Sequence, residues 1–120
     1  MPKVLVIDDL RIIKNLPAED TWYARNSSDA LTMILKDKWE QTFWDHDLGI
    51  SGGEDDDSMK VVQWIEERYH FEGWLPTLGN VFVHTANPVG AKNLTLALSK
   101  MYPVRRVNIY DMDVTSLDIP

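Results

Sequence analysis

Residues 3–9 read Lys3-Val4-Leu5-Val6-Ile7-Asp8-Asp9, an apolar run halted by two carboxylates. Val4 to Ile7 has no polar face and is rich in β-branched residues, the pattern of a strand buried on both sides within a parallel sheet. In open parallel sheets, function gathers just beyond the carboxyl ends of the strands. Asp8 and Asp9 therefore mark the edge where a site is to be sought.

Working outward, the same grammar recurs. Thr21 to Arg25 reads as a second strand, Gln41 to Trp44 as a third and Val81 to Val83 as a fourth. The third strand runs into Asp45-His46-Asp47-Leu48-Gly49, and the fourth into His84-Thr85-Ala86-Asn87-Pro88. Three amphipathic segments lie between or after these strands. Asn26-Ser27-Ser28 supplies N-cap candidates for a helix with Leu31, Ile34 and Leu35 on one face. Ser58 can cap a second helix bearing Val61, Val62, Ile65 and Tyr69, and Asn87-Pro88 opens a third with Leu94, Leu98 and Met101. Ser51 to Asp57 reads as a polar, acidic loop, Arg105 to Tyr110 as a last strand and Asp111 to Pro120 as a tail. Strands alternating with helices imply an α/β fold with right-handed crossovers. There is no repeat and no Pro-, Gly- or Ser-rich linker, so residues 1–120 read as one domain with 111–120 as its C-terminal tail.

At 120 residues the chain is long enough to bury a core without staples, and its 44% apolar content is ordinary. With no cysteine, disulfides and thiolate metal sites are excluded. A formal charge of −7 argues against a protein that grips extended nucleic acid through phosphates. It leaves room for a small phosphate-containing substrate or an RNA end, since a bound cation reverses the local field. No run is long enough to span a membrane or to act as a secretory signal, and a cytoplasmic location is expected.

Acids and histidines fall at three strand ends: Asp8 and Asp9, Asp45 to Asp47, and His84 to Asn87. Crowded carboxylates repel one another by roughly 1–4 kcal/mol per pair at about 4 Å, and a hard cation relieves the strain. Asp8, Asp9, Asp45 and Asp47 are thus candidate ligands for Mg²⁺ or Mn²⁺, against the plainer reading that some cap helices or orient loops. His46 and His84 are candidate proton-transfer residues, against the ordinary fate of a buried, satisfied histidine. His70 has no acidic partner near it in sequence and is read as structural. Thr85 and Asn87 suit an anion seat at a helix N-terminus or simple capping. The five tryptophans read chiefly as packing, with Trp22 and Trp74 the two least constrained and able to stack on a base. Glu54 to Asp57 is a solvated loop or a lid.

These residues resemble the receiver superfamily of response regulators. Val4 to Asp9 matches a receiver's first strand and acid pair; Asp45 to Gly49 stands where the phosphorylated aspartate and its loop occur; Thr85-Ala86 matches the step ending the fourth strand. A closer similarity is to the cyclic-phosphate-processing receiver domains, common in phages and bacteria. It is carried by Asp8-Asp9-Leu10-Arg11, Asp45-His46-Asp47-Leu48-Gly49, Val62-Gln63-Trp64-Ile65-Glu66 and His84-Thr85-Ala86-Asn87-Pro88-Val89-Gly90. The resemblance implies a receiver-like (flavodoxin-like) parallel five-stranded sheet of order 2-1-3-4-5. It also implies a metal-dependent phosphoesterase acting on an RNA 2′,3′-cyclic phosphate or a cyclic nucleotide. Asp8, Asp9 and Asp45 would hold the cation with Asp47 in support, His46 or His84 would protonate the departing ribose oxygen, and Arg11, Thr85 and Asn87 would seat the phosphate. The alternative is a non-catalytic nucleotide-binding or protein-interaction module on the same fold.

The departures from an ordinary receiver are specific. Gly49 replaces the common proline, and Val107 to Tyr110 lacks the lysine that contacts the phosphoryl group, although Arg105 and Arg106 are near. Leu10 to Asp20 is short and contains Pro17, and no amphipathic helix follows Tyr110, so the first and last helices are reduced or missing. A phospho-switch is therefore the least favoured reading. One apolar sheet face then needs a cover, either the segments Leu10 to Leu16 and Val114 to Ile119 or a second copy of the chain. A homodimer is the expectation.

Overall fold

β1 (Val4–Ile7) is buried along its whole length, as a strand without a polar face must be. In the computed structural model, which describes residues 3–13, 16–107 and 114–116, β1 is a central strand of the main sheet. It pairs in parallel with β3 (Thr21–Ala24) on one side and β4 (Gln41–Trp44) on the other. β7 (Asn80–Val83) pairs in parallel with β4, and β8 (Val104–Arg106) with β7. The five-stranded order β3-β1-β4-β7-β8 is 2-1-3-4-5 when only these strands are numbered, as expected.

Side chains alternate across each strand. Leu5, Ile7, Trp44, Val81 and Val83 face one way and form the larger core with the three helices of the described residues. Those are α1 (Ser27–Lys36), α2 (Met59–Glu72) and α3 (Pro88–Ser99). The opposite face carries Val4, Val6 and Phe43, packed with Ile13, Leu16, Tyr23 and Phe82. No helix covers it among the described residues. Instead β2 (Arg11–Ile13) lies there, paired antiparallel with β9 (Val114–Ser116). One of the two covers weighed for this face is thus the chain itself.

Asn26 and Asn87 cap α1 and α3 as read, accepting from Asp29 N and Gly90 N, and Pro88 occupies the first turn of α3. Several local expectations are corrected. Ser58 precedes α2 but makes no side-chain cap bond. Leu35 and Tyr69 are exposed, and Ala30 rather than Leu35 is buried with Ile34. The strand expected over Arg105 to Tyr110 is β8, which ends at Arg106, and residues 108–110 lie outside the described ones.

The acidic "loop" is a hairpin of β5 (Asp47–Ser51) and β6 (Glu54–Asp57). Its polarity hid a strand because Asp56 is buried against Ser27, which is distant in sequence. Asp56 accepts from Ser27 N at 2.8 Å and Ser27 Oγ at 2.6 Å, with Lys60 Nζ 3.3 Å away. No helix among the described residues is long and apolar enough to cross a membrane.

Candidate functional site

The ladder of the main sheet runs one residue past its strands and sets three side chains in register. Asp8 N donates to Ala24 O, Asp45 N to Ile7 O and His84 N to Trp44 O. Continuing the alternation, Asp8, Asp45 and His84 fall on the face opposite the three described helices, beyond Val6, Phe43 and Phe82. All three are buried.

Asp8 is the most tightly held. Its Oδ1 accepts from the amides of Leu10 and Arg11, each at 3.0 Å, and its Oδ2 accepts from His84 Nε2 at 2.9 Å. Burial alone would push this acid up, but the His84 bond and the two amides outweigh it and hold the carboxyl at about 2. The neighbours behave oppositely. Burial raises Asp45, helped by the charge of Asp8 and only partly offset by a hydrogen bond with Thr85. Burial also raises Asp9, again with Asp8 adding to it. Ligand atoms of Asp8, Asp9 and Asp45 lie within 4.8 Å of one another. Two carboxyls that resist ionisation beside a third that is firmly ionised make an all-oxygen donor set suited to a hard divalent cation. Gly49 closes this corner: a Cβ there would stand 2.9 Å from Asp9 Oδ2, and its φ of 74° favours glycine.

Two arginines flank the acids. Arg11 Nη1 is 3.4 Å from Asp8 Oδ2 and 3.3 Å from Asp45 Oδ2. Arg25 Nη1 donates to the carbonyls of Asp8 at 3.0 Å and Arg11 at 2.7 Å, while its guanidinium lies 4.6 Å from the Tyr23 ring centre. Arg25 thus ties the 8–11 segment to the sheet edge.

Asp47 stands apart from the acidic triad. Its Oδ1 is 2.9 Å from His46 Nδ1 and its Oδ2 accepts from Asn87 Nδ2 at 3.1 Å; His46 above all, with Asn87, lowers this carboxyl. Because a carboxylate only accepts, the first bond places a proton on His46 Nδ1. The His46 ring is pressed against α3. A Cβ on Gly90 would lie 2.5 Å from His46 Cγ, so only glycine permits this approach. Asn87 is fully engaged, its Oδ1 accepting from Gly90 N while its own amide N–H donates to Thr85 Oγ1.

A cleft of about 260 Å³ is lined by Asp9, Arg11, Asp45, Asp47, Thr85 and Asn87, among others. Six of the sequence-derived site residues therefore meet on one surface. The two histidines do not line it. The His84 ring is fully enclosed, edge-on to Phe43 at 6.3 Å between centroids, and its Nδ1 has no hydrogen-bond partner among the described residues. His46 is partly exposed behind Asp47.

Trp22 and Trp74 pack elsewhere, edge-on to Trp39 and Trp64. Arg25 and Gly90 were not singled out from the sequence as site residues. Arg25 carried no local signal, whereas Gly90 follows a helix start where glycine is otherwise unfavourable.

No curated protein and no solved structure matches the chain. The family model described as "Cyclic-phosphate processing Receiver domain" matches residues 3–100, and the chain belongs to that family.

Proposed function

We propose that this domain is a divalent-metal-dependent phosphoesterase that opens a cyclic phosphate, either an RNA 2′,3′-cyclic end or a cyclic nucleotide. One observation carries the reading: Asp8, Asp9 and Asp45 bring ligand oxygens within 4.8 Å of one another beside a cleft that Arg11 and Thr85 also line. The family's description supplies the substrate class. At about 260 Å³ the cleft suits a single ribose-phosphate head rather than a length of polymer.

Asp8, Asp9 and Asp45 hold the cation, Mg²⁺ or Mn²⁺. A cation there supplies polarisation of a phosphate oxygen and a more acidic water. Arg11 and Thr85 meet the remaining phosphate oxygens, and Asn87 fixes Asp47 at the rim. The water oxygen bonds to phosphorus as that water releases a proton to solvent, the bond from phosphorus to one ribose oxygen breaks, and that oxygen takes a proton. His46 is the histidine suited to give it, because Asp47 holds Nδ1 and leaves Nε2 for transfer. His84 is too enclosed for that task and serves as a positioning residue for Asp8.

The second reading, a module that binds a nucleotide without turning it over, is favoured by the absence of both histidines from the cleft lining. Incubation with Mn²⁺ and a panel of cyclic nucleotides and cyclic-phosphate-ended oligonucleotides separates the two. A linear phosphomonoester that forms with Mn²⁺ and not with chelator supports the esterase. Saturable binding without product would replace it with the binding module.

A further inference from the structure

Arg11 stands where a cation would compete with it. Its Nη1 lies between Asp8 Oδ2, at 3.4 Å, and Asp45 Oδ2, at 3.3 Å, which are long separations for a charge-assisted hydrogen bond. The backbone of Arg11 is pinned at both ends: its N–H donates to Asp8 Oδ1 at 3.0 Å and its carbonyl accepts from Arg25 Nη1 at 2.7 Å. Its side chain keeps 29% of its surface exposed and lines the cleft. A loosely held head on a fixed root can leave without disturbing the fold. Asp8 Oδ2 already accepts from His84, so a cation must use the direction in which the guanidinium now stands. Two positive groups cannot share it.

We infer that Arg11 is an exchangeable internal counter-ion: it neutralises Asp8 and Asp45 in the metal-free protein, is displaced into the cleft when a divalent cation binds, and there meets the substrate phosphate. The inference rests on the metal reading above. It makes the phosphate seat conditional on the cation, so that an anion is gripped only when the site is loaded.

Mg²⁺ titration of the whole chain tests it, followed by calorimetry and by the NMR signal of the Arg11 Nε–H group. The signal is expected to shift as Mg²⁺ saturates, and to shift again with inorganic phosphate only when Mg²⁺ is present. Arg11→Ala should bind Mg²⁺ roughly tenfold more tightly, the scale of a partly buried ion pair lost from one state only, and should lose the Mg²⁺-dependent phosphate binding. Mg²⁺ binding to Arg11→Ala and not to the unaltered protein would overturn the exchange, because Arg11 would then exclude the cation and not yield to it. An Arg11 signal unmoved at saturating Mg²⁺, or unchanged or weaker affinity in Arg11→Ala, would overturn the exchange while leaving the metal site standing. Absence of Mg²⁺ binding in both proteins would overturn the metal reading and the exchange with it.

Discussion

Gly90→Ala tests how tightly the His46–Asp47 pair is built. A Cβ at Gly90 would meet His46 Cγ at 2.5 Å and both His46 Cβ and Nδ1 at 2.8 Å. The ring cannot retreat freely, since its Nδ1 is bonded to Asp47 at 2.9 Å and its residue's carbonyl accepts from Ser58 N at 2.9 Å. Overpacking of this kind costs about 1–3 kcal/mol. Against it stands the gain of alanine over glycine within a helix, about 0.5–1 kcal/mol. The net expectation is a loss of up to about 2.5 kcal/mol, or a fall in Tm of up to roughly 10 °C for a domain of this size. In a His46→Gly background all three of these atoms are gone, and the same Gly90→Ala change should stabilise by about 0.5–1 kcal/mol. Urea melts of the four proteins measure the coupling. Equal effects of Gly90→Ala in the two backgrounds, or a gain in stability with His46 present, would refute the geometry on which the pair depends.

Asp45→Asn should make the metal-free protein more stable at pH 7, because it removes a carboxylate whose burial and proximity to Asp8 oppose ionisation, yet it should abolish most Mg²⁺ affinity. A less stable Asn variant, or retained affinity in calorimetry, contradicts this. Metal affinity should fall as pH drops and begin to do so above the ordinary carboxylate value of 3.8, since Asp9 and Asp45 are both raised and must lose their protons to ligate. Asp8 acts in the opposite sense on stability. Held at about 2 when folded against 3.8 unfolded, it contributes stability above pH 4 that is lost as pH falls towards 2, and Asp8→Asn should lack that loss in acid melts. His46→Ala should lower turnover by roughly 10²–10⁴ with metal affinity kept. His84→Ala should instead weaken metal binding, so kinetics and calorimetry on the two variants separate proton transfer from positioning.

The sheet and the acidic triad were legible because both follow from patterns local to each strand. Val4 to Ile7 has no polar face, and Asp8 and Asp45 sit one step past their strands, where the topology alone brings them together. What was not legible depends on contacts between segments far apart. Asp56 looks like one more acid in Glu54 to Asp57 until Ser27, 29 residues away, is seen to hold it. His84 ends its strand much as Asp45 does, and only the depth of packing around Asp8 and Phe43 separates an enclosed ring from a reactive one. The Arg25 bonds to the carbonyls of Asp8 and Arg11 span 17 and 14 residues and have no periodic signature.

The sheet face opposite the three described helices explains why the site and its cover are one piece. Alternation along β1 and β4 puts Val4, Val6 and Asp8, and likewise Phe43 and Asp45, on the same side of the sheet. The side opposite the three described helices therefore has an apolar floor and an acidic upper rim. β2 serves both levels. Ile13, 3% exposed, packs on the floor, and its amide donates to Tyr23 OH at 3.1 Å. Two residues earlier on the same strand, Arg11 reaches the rim and Asp45. A helix in this place would bury the floor equally well, yet it would not deliver a basic side chain to the acids from a backbone already bonded to Asp8. Burial of the floor and delivery of Arg11 are thus the same structural event, held from the sheet edge by Tyr23 and Arg25. Loosening the ribbon of β2 and β9 should therefore disturb the acidic site before it disturbs the three-helix core on the far side, because the two clusters share no residue.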